Sequence, residues 1–297
     1  MPNYIFALLS AILWASSAPI INYGLKNMPG KNSLQFISIG LLSALLSGTI
    51  LLTLVVVILD LPVQINCYLL LSGIFTYPVG TGAYYIASEL FKKRAEFASV
   101  FSKVKPLISF TLATIFIKEI PSNSTIISLG FILVGTSVLV IGSKKEIMSL
   151  KGTAIGLLTA SSWALGEVFM KLGISDSHPI AASWVALLSG SILYTLFILV
   201  FFKQKDIGQY YNKKIIFLPF IIHGILSFAI AYTLFFFSIK EIGVARSAII
   251  NAFWPILSIC IALFIRKLKK ERLDIPISLV IATLLLLIGS LIQILGS

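Results

Sequence analysis

The sequence predicts an all-α integral membrane fold, with ten transmembrane helices forming two inverted five-helix repeats. Three observations carry that prediction. Apolar residues make up 58% of the 297 positions and charged residues only 11%, against about a quarter charged in soluble domains. Eight stretches free of Asp, Glu, Lys and Arg are each long enough to cross a hydrocarbon core that accepts about 20 apolar residues per helix. The first of these stretches is also echoed 149 residues downstream.

In chain order the charge-free stretches are Tyr4 to Leu25, Asn32 to Leu59, Leu61 to Ser88, Ile120 to Ser143, Ser177 to Phe202, Ile215 to Ile239, Ser247 to Ile265 and Ile275 to Ser297. Two further segments, about Ala95 to Ile117 and Gly152 to Leu172, are long enough but contain charge, and they complete the ten as helices four and six. The connections are short and rich in turn formers, as in Asn27-Met28-Pro29-Gly30 and Ser175-Asp176-Ser177-His178-Pro179. They leave no room for a soluble domain. The first stretch lacks the basic start of a secretory signal and is retained as a helix.

The segment from Ala7 to Leu25 aligns without gaps on Gly156 to Ile174, pairing Trp14-Ala15 with Trp163-Ala164 and Gly24 with Gly173. The same offset pairs Pro106 with Pro255 and Ser109 with Ser258. A repeat at one fixed period divides the chain into residues 1–145 and 146–297. Each unit holds an odd number of helices, so the second must enter the membrane from the opposite side. Inverted repeats of this kind are common in secondary transporters, whose substrate sites lie near the midplane between the halves.

The net charge of +12 resides in short clusters between apolar runs rather than in a groove-sized patch, which argues against nucleic acid. Seventeen Lys and Arg lie beside the connections after helices one, three, five, seven and nine, against about four on the other side. By the positive-inside bias this places both termini outside the cytoplasm. The two cysteines, Cys67 and Cys260, sit in apolar runs and are expected to be packing residues. No metal site or cofactor motif is present in the sequence, and monomer and homodimer are both left open.

In these features the chain resembles the drug/metabolite transporter superfamily in its ten-helix, two-repeat form, EamA. The resemblance rests on Trp-Ala in the first helix of each repeat, Pro106 and Pro255 in the fourth, the Lys118-Glu119 exit from helix four, and Gly135 and Gly289 in the fifth. It implies a cell-membrane carrier, usually an exporter of amino acids or other small metabolites, with a central cavity. The family usually has both termini inside. Glu167, Lys103 and Lys105 depart from its pattern, since such helices are more often uncharged, and they could mark a charged substrate.

A charge at the bilayer centre costs at least about 2.5 to 3.5 kcal/mol, so a helix keeps one where it faces protein or water. Lys103 and Lys105 both fall near mid-depth of helix four if that helix begins near Ala95, and near an interface if it begins near Phe101. Two positions correspond to about 200° around a helix, so one of the two lysines is expected to face the cavity. Glu167 stands four residues before Lys171, the order of a helical ion pair; the alternative makes it a proton site or the partner of an intramembrane lysine. Trp14, Tyr84, Trp163, Asn251 and Trp254 are further expected cavity residues, with packing as the competing reading. Pro106 and Pro255 are expected hinges or kinks. His223 has no second ligand at a useful spacing for a metal, which leaves packing or a cavity position.

The leading expectation is therefore a secondary carrier working by alternating access, with proton coupling an option. An intramembrane lipid-modifying enzyme is disfavoured by the absence of H-E-x-x-H and G-x-S-x-G signatures. A channel or lipid flippase is the third reading.

Overall fold

The computed structural model describes residues 4–26, 33–90, 104–142, 150–202, 217–252, 254–268 and 277–296, and all regular structure in them is helical. The helices are α1 (Tyr4–Lys26), α2 (Ser33–Ile58), α3 (Cys67–Ile74, Phe75–Thr81 and Gly82–Leu90 in succession), α4 (Lys105–Leu112 continued by Ala113–Ile117) and α5 (Asn123–Gly142). The second repeat supplies α6 (Leu150–Gly173), α7 (Pro179–Phe201), α8 (Leu218–His223, Gly224–Ala231, Tyr232–Ile242), α9 (Val244–Asn251 and Trp254–Leu268) and α10 (Ile277–Leu295). By length and composition alone, α1, α2, α6, α7 and α8 each suffice to cross a membrane. Their outward faces carry exposed Leu54, Val57, Val200 and Phe201, a surface that water would not tolerate and a bilayer accepts.

Element ends follow local chemistry. Helix α3 begins later than its apolar run, at Cys67, because the Asn66 side chain accepts the Leu69 amide at 2.9 Å and caps the helix. Helix α7 starts at Pro179, the first-turn position where a missing N–H costs nothing, behind His178 as N-cap. Helices α8 and α9 are joined by Gly243 alone, whose φ of +88° suits a residue without Cβ. Helix α9 accordingly begins at Val244, earlier than the charge-free stretch indicated. Cys67 and Cys260 are exposed, contrary to the packing role expected of them: Cys67 opens α3 and Cys260 lies on an outward face of α9.

Side-chain contacts establish the inversion of the two repeats. Residue numbers rise along α1 as they fall along α8: Phe6 stacks on Phe237, Trp14 meets Tyr232, and Gly24 lies against Phe220. Helices α2 and α8 climb together, with Gly40 against Phe220 and Gly48 against Gly224. Thr49 bonds Ser191 and Trp184 bonds Thr53, so α2 and α7 are antiparallel. Helix α7 therefore runs with α1, and α6, joined to α7 only by residues 174–178, runs against it. The first helices of the two repeats cross in opposite senses.

Small residues make the crossings. Without a hydrophobic drive between helices in lipid, association depends on close packing and interhelical hydrogen bonds. Ser189 Oγ donates to the Leu70 carbonyl at 3.0 Å where α7 meets α3, and Ser47 Oγ donates to the Ile221 carbonyl at 3.1 Å where α2 meets α8. At the same two crossings Gly73 rests on the Ala186 carbonyl and Gly224 on the Ala44 carbonyl. Helices α5 and α10 pair through Gly135 against Leu285 and Leu286, and Gly289 against Phe131 and Ile132, which gives the fifth-helix glycines a physical role.

A Cβ at Gly224 would collide with backbone that cannot swing away, whereas Gly130 has nothing within 4 Å of where its Cβ would stand. Gly224→Ala is expected to destabilise the bundle by about 1–3 kcal/mol, the range for overpacking, and Gly130→Ala to leave it unchanged or slightly firmer. Thermal unfolding of the two purified variants in detergent checks this; equal melting temperatures would remove the crossing glycine from its role.

Candidate functional site: an aromatic cavity with a buried ion pair

Helix α3 is wound as a π-helix over Phe75–Thr81 around Pro78, and α8 over Gly224–Ala231. Such segments shift the bonding register, free carbonyls for other partners, and frequently mark functional sites. The Thr76 carbonyl accepts from Thr81 Oγ1 and from Trp163 Nε1, both at 3.1 Å, and the Phe75 carbonyl accepts from Ser162 Oγ at 2.9 Å. The irregular turn of α3 thus orients the indole of α6.

A cavity lies among these helices. Its wall comprises Trp14, Ser17 and Ala18 of α1, Thr81 and Tyr84 of α3, Lys105 of α4, Trp163 of α6, Trp254 of α9, and His223, Ser227, Phe228 and Tyr232 of α8. Both repeats contribute. The volume is about 40 Å³ on the measure in which one water needs roughly 10–15 Å³, so the closed form holds a few waters. The lining residues sit at the helix middles and toward the ends near Lys26, Leu90 and Leu218. The opposite end is packed shut. There Ser238 bonds Ser247 at 2.7 Å, Lys171 Nζ donates to the Ile239 and Lys240 carbonyls, and the Glu119 carboxylate accepts the Val244 and Ala245 amides at 2.8 and 3.0 Å.

Lys105 is the charge at the cavity. It is 4% exposed, its ammonium pairs with Glu167 Oε1, and Ser109 donates to Glu167 Oε2. The same ammonium lies 5.5 Å from the Trp14 ring centre and 5.1 Å from that of Phe235, within cation–π range. Glu167 thus pairs with an intramembrane lysine rather than with Lys171, whose ammonium serves α8 carbonyls. At the repeat offset of 149, Lys105 corresponds to Trp254 and Glu167 to Ala18. The ion pair consequently has no counterpart at the repeat-related positions.

Of the residues expected at the cavity, Trp14, Tyr84, Lys105, Trp163 and Trp254 line it, and Glu167 stands behind Lys105. The aromatic members touch one another: Tyr84 lies 5.6 Å from Trp163 and 6.5 Å from Trp254, centre to centre. Asn251 lies outside the wall and ties α9 to α1 through the Ala7 carbonyl and Ser10 Oγ. Lys103 falls outside the described residues. Pro106 occupies the first turn of the described part of α4, and Pro255 is the second residue of the segment Trp254–Leu268 of α9. Sequence reading passed over the opposite wall, where Ser17 Oγ bonds Ser227 Oγ at 2.7 Å and Ser227 meets His223 Nδ1 at 3.2 Å. Isolated serines in apolar helices carry no signal of their own; only the register of the π-helix aligns Ser227 with Ser17.

A polytopic helical bundle with inverted halves and a largely aromatic cavity between them has the architecture of a small-molecule membrane transporter. The sequence profile of the EamA-like transporter family matches residues 1–141 and 150–295, one match per repeat, and the chain belongs to that family. It is a multi-pass membrane transporter of small molecules. A solved crystal structure described only as that of a protein superposes with a TM-score of 0.75 over 99% of this chain and 96% of the other, at 15% identity, a likeness of fold. No curated protein matches the chain in sequence.

Removing one member of a buried ion pair leaves an uncompensated charge and costs about 3–5 kcal/mol, whereas replacing both with apolar residues is often close to neutral. Lys105→Met and Glu167→Met are each expected to lower the unfolding temperature in detergent, and the double variant to recover most of the loss. Additive losses in the double variant would show that the two groups do not stabilise one another.

Proposed function

We propose that the protein is a secondary carrier in the cell membrane that exports small metabolites, amino acids among them, by alternating access around this cavity, drawing on an ion gradient. The observation that carries the proposal is a cavity shared by two inverted halves, walled among the described residues by aromatic rings and the Lys105 side chain, and packed shut at the end on the side of the termini. An apolar wall with a few convergent polar groups is the usual composition of a small-molecule site. Its small volume fits a closed form that must open to load. Opening is assigned to the fourth helices, in which the repeat-related Pro106 and Pro255 each lack a backbone N–H to donate.

The basic connections support the direction. Under the positive-inside bias they lie in the cytoplasm, and the cavity is displaced toward that end, which suits loading from inside. A carboxy-terminal alkaline phosphatase fusion is then expected to be active and a green fluorescent protein fusion dark; the reverse pattern would turn the molecule over and remove the support for export.

The purified protein in liposomes should show saturable flux with at least one class of labelled metabolite. Trp163→Ala, which removes the indole and its bond to Thr76, is expected to reduce that flux by about 10-fold or more, the loss of roughly one good aromatic contact. Flux unchanged in Trp163→Ala and in Trp14→Ala would move the substrate elsewhere. Product formation in detergent without any gradient would favour an enzyme, and single-channel currents would favour a channel.

A further inference from the structure

The geometry points to a substrate with one net negative charge, bound through Lys105 and carried together with one proton on Glu167. This rests on the reading of the cavity as the transport site and specifies its chemistry.

The ammonium of Lys105 lines the cavity, while Glu167 does not. Glu167 is 2% exposed, and both its oxygens are engaged, Oε1 by Lys105 and Oε2 by Ser109. An arriving ligand therefore meets a cation first. A cationic ligand would face Lys105 and, among the described residues, no carboxylate on the cavity wall, whereas an anionic group can take the place of Glu167 on the ammonium.

Charge conservation then decides the coupling. Among the described residues the empty site is neutral, with one ammonium and one carboxylate. Adding a monoanion alone would leave a net negative charge deep in low dielectric, which resists movement through the cycle. Protonation of Glu167 restores neutrality: the Lys105–Glu167 ion pair breaks, the ammonium pairs with the substrate anion, and the carboxylate takes a proton from the solution on the side from which the substrate entered. Ser109 then remains beside a neutral carboxylic acid, for which its hydroxyl is either donor or acceptor. Empty and loaded sites are both neutral, so each can complete the transition, and the step is an electroneutral proton–anion symport, in which export follows the combined outward gradient of anion and proton.

The neighbours allow Glu167 this role. Among the described residues, the titratable groups of the cavity beside the pair are Tyr232 and His223 from α8 and Tyr84 from α3. Helices α1 and α9 present Trp14, Ser17 and Trp254, which do not titrate, and α4 adds Ser109. Lys171, one turn along α6, is occupied by the Ile239 and Lys240 carbonyls. His223 Nδ1 is held by Ser227 across the cavity, and its Nε2 has no partner. No other carboxylate faces the pair among the described residues.

The test uses the full chain in liposomes, with labelled lactate, pyroglutamate and N-acetylphenylalanine as anions, alanine and tryptophan as zwitterions, and choline and tryptamine as cations. Anions are expected to accumulate about tenfold per unit of pH gradient, the limit for one proton per anion, with no response to membrane potential and with matching pH change inside. Glu167→Gln mimics the protonated residue; it is expected to keep exchange of labelled for unlabelled anion while losing net, gradient-driven accumulation. Lys105→Gln should lose both and Lys105→Arg should restore anion flux. Flux of zwitterions or cations only, anion flux that moves charge, or loss of exchange along with net flux in a well-folded Glu167→Gln would overturn the inference and leave the carrier reading intact. Should Glu167→Gln not fold, the proton-to-anion ratio of the unaltered protein decides alone. No flux of any class would instead sink the carrier reading.

Discussion

The bilayer forbids an isolated charge at its centre, and the site follows from how this chain meets that constraint. Lys105 stands level with the middles of α1 and α6, where an unpaired ammonium would oppose insertion. Glu167 neutralises it from the adjacent helix, Ser109 occupies the second carboxylate oxygen, and the rings of Trp14 and Phe235 flank the cation. The pair joins α4 of the first repeat to α6 of the second. A contact made for electrostatic reasons thereby links the two halves at the place where a cavity opens between them.

Around this pair the bundle is assembled by close approach rather than by hydrophobic sorting, since lipid and helix are equally apolar. The serine and glycine crossings of α3 with α7 and of α8 with α2 repeat one solution in each half. The π-helical turns of α3 and α8 occur at matching places as well. Irregular backbone is expensive at membrane depth unless its freed groups find partners, and here Thr76 and Phe75 find them in Trp163 and Ser162. The same distortion that would cost stability on a lipid-facing helix orients a cavity residue on an inward one.

One end of the cavity is closed by side chains that cap helix ends. On the side of the termini, Glu119 caps the start of α9, Lys171 caps the end of α8, and Asn66 reaches the Gly173 carbonyl at 2.9 Å. Charged side chains satisfy exposed helix ends there, which stabilises the closure through backbone groups that need partners in any case. Glu119 belongs to the Lys118-Glu119 exit seen in the sequence; its reach to the Val244 and Ala245 amides gives that dipeptide a structural function across the repeat boundary.

Composition and periodicity determined the ten helices, their pairing into repeats and the opposite insertion of the second, because length, apolarity and an odd helix count are properties of the chain itself. They also pointed to Trp14, Trp163, Glu167 and one of Lys103 and Lys105, since intramembrane charge and matched tryptophans are visible without coordinates. What they left undecided is which partner each group takes. Glu167 has Lys171 four residues away and Lys105 sixty-two residues away, and local spacing favours the near one; the packing of α6 against α4 and α8 delivers the far one and sends Lys171 to backbone carbonyls. Asn251 reads as cavity lining but faces α1, and Ser17 and Ser227 read as inert yet form the opposite wall with His223, which the sequence left between packing and a cavity position. Only the tertiary structure decides these, because the direction of a side chain on a helix in lipid is set by crossing geometry and by the extra residue of a π-helical turn, neither of which leaves a periodic trace in sequence.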